Sequence, residues 1–229
     1  MCSGLQDGSH AVVVMGDMVM KGVAGVNASA VFAATADAIA IQDAQGSYLS
    51  LGYLAVGEDD QAATATLEFA YDDGIAALVA AFVGESASAS AWSARSKNYR
   101  NVFNANASIP CPRTVAGTWQ CPEFPAIPYP FDSGYLEGNA LQYQTFAPHD
   151  QAGLMSCFSS VDAYVEALTT LQVKQQDWIF GTTLPNSYYW AGTCCSVRCN
   201  GFCVRCVRAC ESVRTRSAST CCGRRGCRQ

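Results

Sequence analysis

Residues 67–83, LEFAYDDGIAALVAAFV, carry the clearest local pattern in the chain. Leu67, Tyr71, Ile75, Leu78 and Phe82 recur at spacings of three and four, the stripe expected along one face of an amphipathic helix. Gly84 follows Val83 and marks the stop. Working outward, Val161, Tyr164, Val165, Leu168 and Leu171 repeat the same period, with Ser159 and Asp162 spaced as a capping box. Residues 10–24 and 29–42, rich in Ala, Val and Met, read as two buried helices, and Ser86–Val102 as another. No strand-like alternation of any length competes, so the expected class is mainly α. The long loop 104–134 separates these helices, and Cys111 and Cys121 bracket a segment that a disulfide could close.

The net charge of −5 conceals a sharp break. Residues 1–192 carry 6 Lys/Arg against 18 Asp/Glu, a net of −12, whereas residues 193–229 carry 8 Arg and one Glu, a net of +7. Of the 13 cysteines, nine fall in that final segment. An acidic, Ala-rich body and a Cys/Arg/Ser tail do not belong to one packed unit, which divides the chain at 1–192 and 193–229. The apolar run Ala11–Met20 is broken by Asp17 and followed by Lys21, too short and too polar to cross a bilayer.

The chemistry points to Phe131–Asp150, FDSGYLEGNALQYQTFAPHD. Here Glu137 stands among glycines, amides and aromatics. Burial beside Tyr135, Leu136 and Leu141 would raise its pKa by desolvation, as a proton donor at neutral pH requires. Gly134 and Gly138 would let backbone approach a ligand, while Asn139, Gln142 and Gln144 would orient a polar substrate.

Four segments carry a family resemblance: LEFAYDDGIAALVA (67–80), RSKNYRNVF (95–103), FDSGYLEGNALQYQTFAPHDQAGLM (131–155) and LPNSYYWAG (184–192). In order and spacing they resemble the catalytic domain of glycoside hydrolase family 92, the calcium-dependent exo-acting α-mannosidases. The resemblance implies part of an (α/α)6 toroid and normally a preceding β-sandwich domain that this sequence lacks; for the Cys/Arg-rich tail, if translated, it is the exposed cysteines that predict disulfide scrambling or a disordered segment. The resemblance also implies inverting hydrolysis of terminal α-mannose, α-1,2 linkages foremost, from glycoprotein N-glycans. Glu137 of the E-G-N-A motif falls on the general acid, and a carboxylate on the opposite face would activate water. Mannose-containing oligosaccharides or glycoproteins are the implied partners, and Ca2+ the implied cofactor, since a hard cation can take two sugar hydroxyls among its oxygen ligands.

By position inside the matched motifs, Asp72, Asp73, Arg100, Asn139, Gln142, His149 and Asp150 are the substrate-binding candidates. Each also has a plain structural reading: Asp72 and Asp73 as a solvated pair, Arg100 as the partner of a nearby acid, His149 as a cap on the following helix. Leu141 and Gly74 replace tryptophans common in the family. After Gly192 the family continues with the Asn-Glu-Pro of its calcium site, whereas this chain continues Thr193-Cys194-Cys195, so no metal ligands are assigned and the catalytic base is missing.

Cys199, Cys203, Cys206 and Cys210 form C-x3-C-x2-C-x3-C, which four thiolates around a structural zinc would fit. Out-of-frame or intron-derived translation accounts better for a tail that begins in mid-motif and loses its acids and alanines. A nucleic-acid-binding arm ranks below both, and no nucleic-acid partner is expected. The alternative to hydrolysis is an inactive helical domain that binds glycan or protein, its tail holding zinc. MCSGLQDGSH lacks a basic n-region, so a start at Met1 implies the cytosol, while a start further upstream leaves secretion or the lysosome open. The sequons Asn27-Ala28-Ser29 and Asn106-Ala107-Ser108 fit a secreted protein.

Overall fold

The computed structural model describes residues 8–125 and 131–174. The tail 193–229, its cysteine spacing and the LPNSYYWAG motif lie outside these residues. Chain order is α1 (His10–Met20), α2 (Ala28–Asp43), α3 (Tyr48–Leu51), α4 (Ala62–Val83), α5 (Ser86–Arg95) and α6 (Tyr99–Val102). There follow β1 (Phe103–Asn104), β2 (Ile109–Pro110), α7 (Ala140–Tyr143), α8 (Gln151–Met155) and α9 (Val161–Lys174). The mainly α expectation holds, and among the described residues no helix is long and apolar enough to cross a membrane.

The central helix is α4, against which α1, α2 and α5 pack. It ends as expected at Gly84, in the left-handed region at φ 88°. Its buried face is not the one that the apolar stripe indicates. Leu67 is buried, but Leu78 and Phe82 are 51% and 60% exposed, and the face that is covered carries Ala70, Asp73, Ala76, Ala77 and Ala80. Small side chains let three helices approach at once, and that close approach, rather than side-chain size, selects the inward face. On α1, Gly16 abuts Ile75 and Val79, leaving no room for a Cβ. Val12, Ile39, Ala76, Ala80 and Trp92 form the resulting core. A second core gathers Leu67, Tyr99, Val102, Phe103, Leu154, Phe158 and Tyr164.

Three further expectations are corrected. The helix predicted over Ser86–Val102 breaks at Ser96–Asn98: the Ser96 carbonyl accepts from His149 Nε2 at 2.7 Å, while the Arg100 amide turns back to the Lys97 carbonyl. The cap of α9 is Ser160 rather than Ser159, since Ser160 Oγ accepts the Ala163 amide at 3.0 Å. The loop after α6 contains an antiparallel pair, β1 and β2, too short to show alternation. Cys111 and Cys121 are disulfide-bonded. Arg113, which the sequence reading passes over, staples the same loop. It donates to the carbonyls of Asn101 and Gly117 and lies over the rings of Tyr53 and Trp119 at 4.8 and 4.4 Å.

Candidate active site

The segment carrying Glu137 is laid across the start of α4. The amides of Ala63 and Thr64, first-turn donors with no partner inside their own helix, both reach the Gly134 carbonyl, at 3.2 and 3.3 Å. Thr64 Oγ1 in turn accepts the Leu136 amide at 3.1 Å, and Tyr143 Oη donates to the Leu136 carbonyl at 2.7 Å. On the other side of the glutamate, the Gly138 carbonyl accepts the Asp132 amide at 2.9 Å. Asn139 is fully buried and caps α7, its side chain accepting the amides of Leu141 and Gln142, while Gln142 Oε1 accepts the Asn139 amide. The two side chains expected to orient a polar substrate thus close a helix cap, for which the Asn-x-x-Gln spacing was the available signal. Backbone is thus held on both flanks of one residue.

That residue is strained. Glu137 adopts φ 45°, in the left-handed region that non-glycine residues rarely enter. Such conformations persist where the surroundings over-determine them, and they concentrate at functional sites. The clamps fix its backbone while its side chain is exposed, with no hydrogen bond or ion pair among the described residues. The burial beside Tyr135, Leu136 and Leu141 expected from sequence is therefore absent, because Tyr135 turns inward to donate to the Pro110 carbonyl. The glycines also serve a different purpose. A Cβ at Gly134 would strike the Pro112 ring, and one at Gly138 would meet Gln142 Oε1 at 2.8 Å, so both fit protein rather than ligand.

Arg100, His149 and Asp150 come together around Tyr99. Asp150 caps α8, taking the Gly153 amide at 2.9 Å on one oxygen and the Tyr99 hydroxyl at 2.8 Å on the other. Arg100 lies over the Tyr99 ring and 3.6 Å from the Asp150 carboxylate. Burial tends to raise the pKa of Asp150, but the Tyr99 hydroxyl, the Gly153 amide and the Arg100 charge outweigh it, so the group sits below its ordinary value. His149 stacks on Tyr71 at 5.7 Å and presses against Gly74, where a Cβ would stand 2.8 Å from its ring. A tryptophan at position 74 could not coexist with this ring. Burial lowers the His149 pKa, and the bond to a carbonyl fixes the proton on Nε2. The helix cap is thus Asp150, not His149.

Rings connect the two groups. Tyr143 meets Phe146 at 6.0 Å, Phe146 meets Tyr71 at 6.0 Å, Tyr71 meets His149, and His149 meets Tyr99 at 5.7 Å. Tyr99 and Tyr143 had no role assigned from sequence, and Tyr71 only a place in the apolar stripe of α4, although the spacing of three from 143 to 146 to 149 was the available signal.

Asp72 and Asp73 lie apart from this chain of contacts, and both are fully buried. Neither a solvated pair nor an open binding surface describes them. Asp73 accepts from Tyr48 Oη at 2.7 Å and is gripped by Arg95 through Nε and Nη2, while Arg95 Nη1 also reaches Asp43 at 2.8 Å. Asp72 accepts the Ser9 amide and Gln42 Nε2 on one oxygen; its other oxygen has no hydrogen-bond partner. Burial is the main cause that raises the Asp72 pKa to about 7. Buried Asn139 likewise positions the Glu137 segment instead of facing solvent. Among the described residues no group of three or more His, Cys, Asp or Glu is placed to hold a metal. These residues therefore do not fit the implied Ca2+ by themselves, and no step is derived through it.

The family model described as glycosyl hydrolase family 92 catalytic domain matches residues 2–193. A search of curated proteins finds no match. Among solved structures, the chain is similar to the family GH92 α-mannosidase BT3965 from Bacteroides thetaiotaomicron, with TM-score 0.67 and 24% identity over 82% of this chain and 24% of that one. The same enzyme in complex with mannoimidazole gives TM-score 0.68 and 22% identity over 82% and 26% of the two chains. The family GH92 inverting mannosidase BT2199 from Bacteroides thetaiotaomicron gives 0.63 and 21% over 93% and 27%. The chain spans about a quarter of the length of these structures and shares their fold over that part, in keeping with a portion of an α/α toroid. With the family model covering 192 of 229 residues, this chain belongs to glycosyl hydrolase family 92.

Proposed function

We propose that this chain supplies the general-acid part of an inverting α-mannosidase that removes terminal mannose, α-1,2-linked foremost, from glycoprotein N-glycans. The observation that carries the reading is Glu137: an exposed carboxyl on a backbone held at φ 45° by clamps on both sides. Its carboxylic acid would protonate the departing glycosidic oxygen, while water attacks the opposite face of the sugar. Thr64, Tyr143, Asn139 and Gln142 position it. Arg100, with its side chain 43% exposed, is the candidate to bind sugar hydroxyls near Asp150. In family members of full length, Ca2+ would help to hold and distort the sugar ring, and the base would come from sequence beyond Gly192.

The test is release of mannose from an α-1,2-mannobiose by the chain joined to a family continuation after Gly192, assayed with and without calcium. Expected are turnover that needs calcium, a first-formed product of β configuration by NMR, and a loss of two or more orders of magnitude in kcat for Glu137→Gln. No release, or unchanged kcat in that variant, overturns the proposal. Binding of mannobiose by titration without turnover would favour the glycan-binding alternative.

A further inference from the structure

We propose that Asn106 is the attachment site of an N-linked glycan. The sequon Asn106-Ala107-Ser108 occupies the turn between β1 and β2, and no proline interrupts it. Asn104 Oδ1 accepts the amides of Asn106 and Ala107 at 3.0 and 3.2 Å, which folds the turn outward. Ala105, Asn106 and Ala107 are all exposed. The Asn106 side chain makes no hydrogen bond among the described residues, so a glycan on its amide nitrogen displaces nothing. Asn27, in the other sequon, differs: its side-chain oxygen caps α2 through the Ala30 amide, and Ala28 and Ser29 already belong to the helix.

A second, independent observation concerns the compartment. The Cys111–Cys121 disulfide closes the chain just after this turn, and Asn104 Nδ2 donates to Cys121 Sγ at 3.3 Å, making turn and disulfide one unit. Disulfides form and persist where the surroundings are oxidising, as in the secretory pathway in which asparagine glycosylation takes place. The donor is a lipid diphosphate-linked oligosaccharide. Asn106 Nδ2 forms the bond to the anomeric carbon, the carbon–oxygen bond to the diphosphate breaks, the lipid diphosphate leaves with the electron pair, and the amide loses one proton. This inference is independent of the hydrolase reading.

The experiment uses the full chain purified from the cells that make it. Arg100 and Arg113 flank the site, so trypsin followed by reduction yields the peptide Asn101–Arg113. The expected result is a glycopeptide whose treatment with peptide N-glycosidase converts Asn106 to aspartate, and an Asn106→Gln chain that loses the corresponding shift in mass. An unmodified Asn106 before and after the enzyme, or a glycan found only at Asn27, overturns the proposal.

Discussion

Replacing Asp72 by asparagine should change the stability of this protein in opposite senses at high and low pH. Asp72 is fully buried, and its pKa rises from 3.8 to about 7, chiefly through burial. Below pH 4 both folded and unfolded chains hold the proton, and the group contributes nothing. Between pH 4 and 7 the unfolded chain releases the proton while the folded chain keeps it, so stability falls as pH rises, and above 7 the whole cost is present. At about 1.4 kcal/mol per pH unit, that cost is about 4 kcal/mol at pH 8 and about 1–2 kcal/mol at pH 5. Asparagine removes the titration and keeps an oxygen for the Ser9 amide and Gln42. It also places an amide donor where the second carboxyl oxygen has no partner, a penalty of about 1–3 kcal/mol. Asp72→Asn should therefore gain roughly 2 kcal/mol over the native chain at pH 8 and be neutral or slightly weaker at pH 5. The two chains are compared by urea unfolding followed by circular dichroism at both pH values. The difference between them should move by about 2–3 kcal/mol from pH 5 to pH 8; an equal effect at both values would refute the assignment of a buried, protonated Asp72.

Arg95→Met should cost about 3–5 kcal/mol in the same unfolding assay, because it leaves the buried Asp73 carboxylate with the Tyr48 hydroxyl alone, and adding Asp73→Asn should recover much of the loss. A loss below about 1 kcal/mol would mean that the pair does not hold α4 to α5. At position 137, glycine should be more stable than alanine by about 1–2 kcal/mol, the cost of the left-handed backbone for a residue with a Cβ. Alanine equal to or better than glycine would contradict φ 45° there. Gly74→Ala should cost about 1–3 kcal/mol and displace the His149 ring. Freed from burial, His149 should then titrate at higher pH by NMR, and an unchanged midpoint would argue against the contact.

The family and the helical class follow from sequence alone. Glu137, Asn139 and Gln142 sit in a short motif, and a helix such as α4 announces itself through a local period and a terminal glycine. Such signals need no distant partner. Which side of α4 lies inward is a different kind of question. Its period points to Leu78 and Phe82, but α1, α2 and α5 choose the face of small residues, because close approach of three helices depends on surfaces that lie far apart in sequence. The same holds for Asp72 and Asp73, which motif position nominates for sugar and which packing places with Gln42, Tyr48 and Arg95 in the interior. The acid is the instructive case. Sequence determines that a glutamate stands between Leu136 and Gly138; only the fold decides that Thr64, 72 residues before Leu136, and Tyr143 grip the backbone of Leu136 beside it, because a strained dihedral angle persists only where contacts from several elements converge on it.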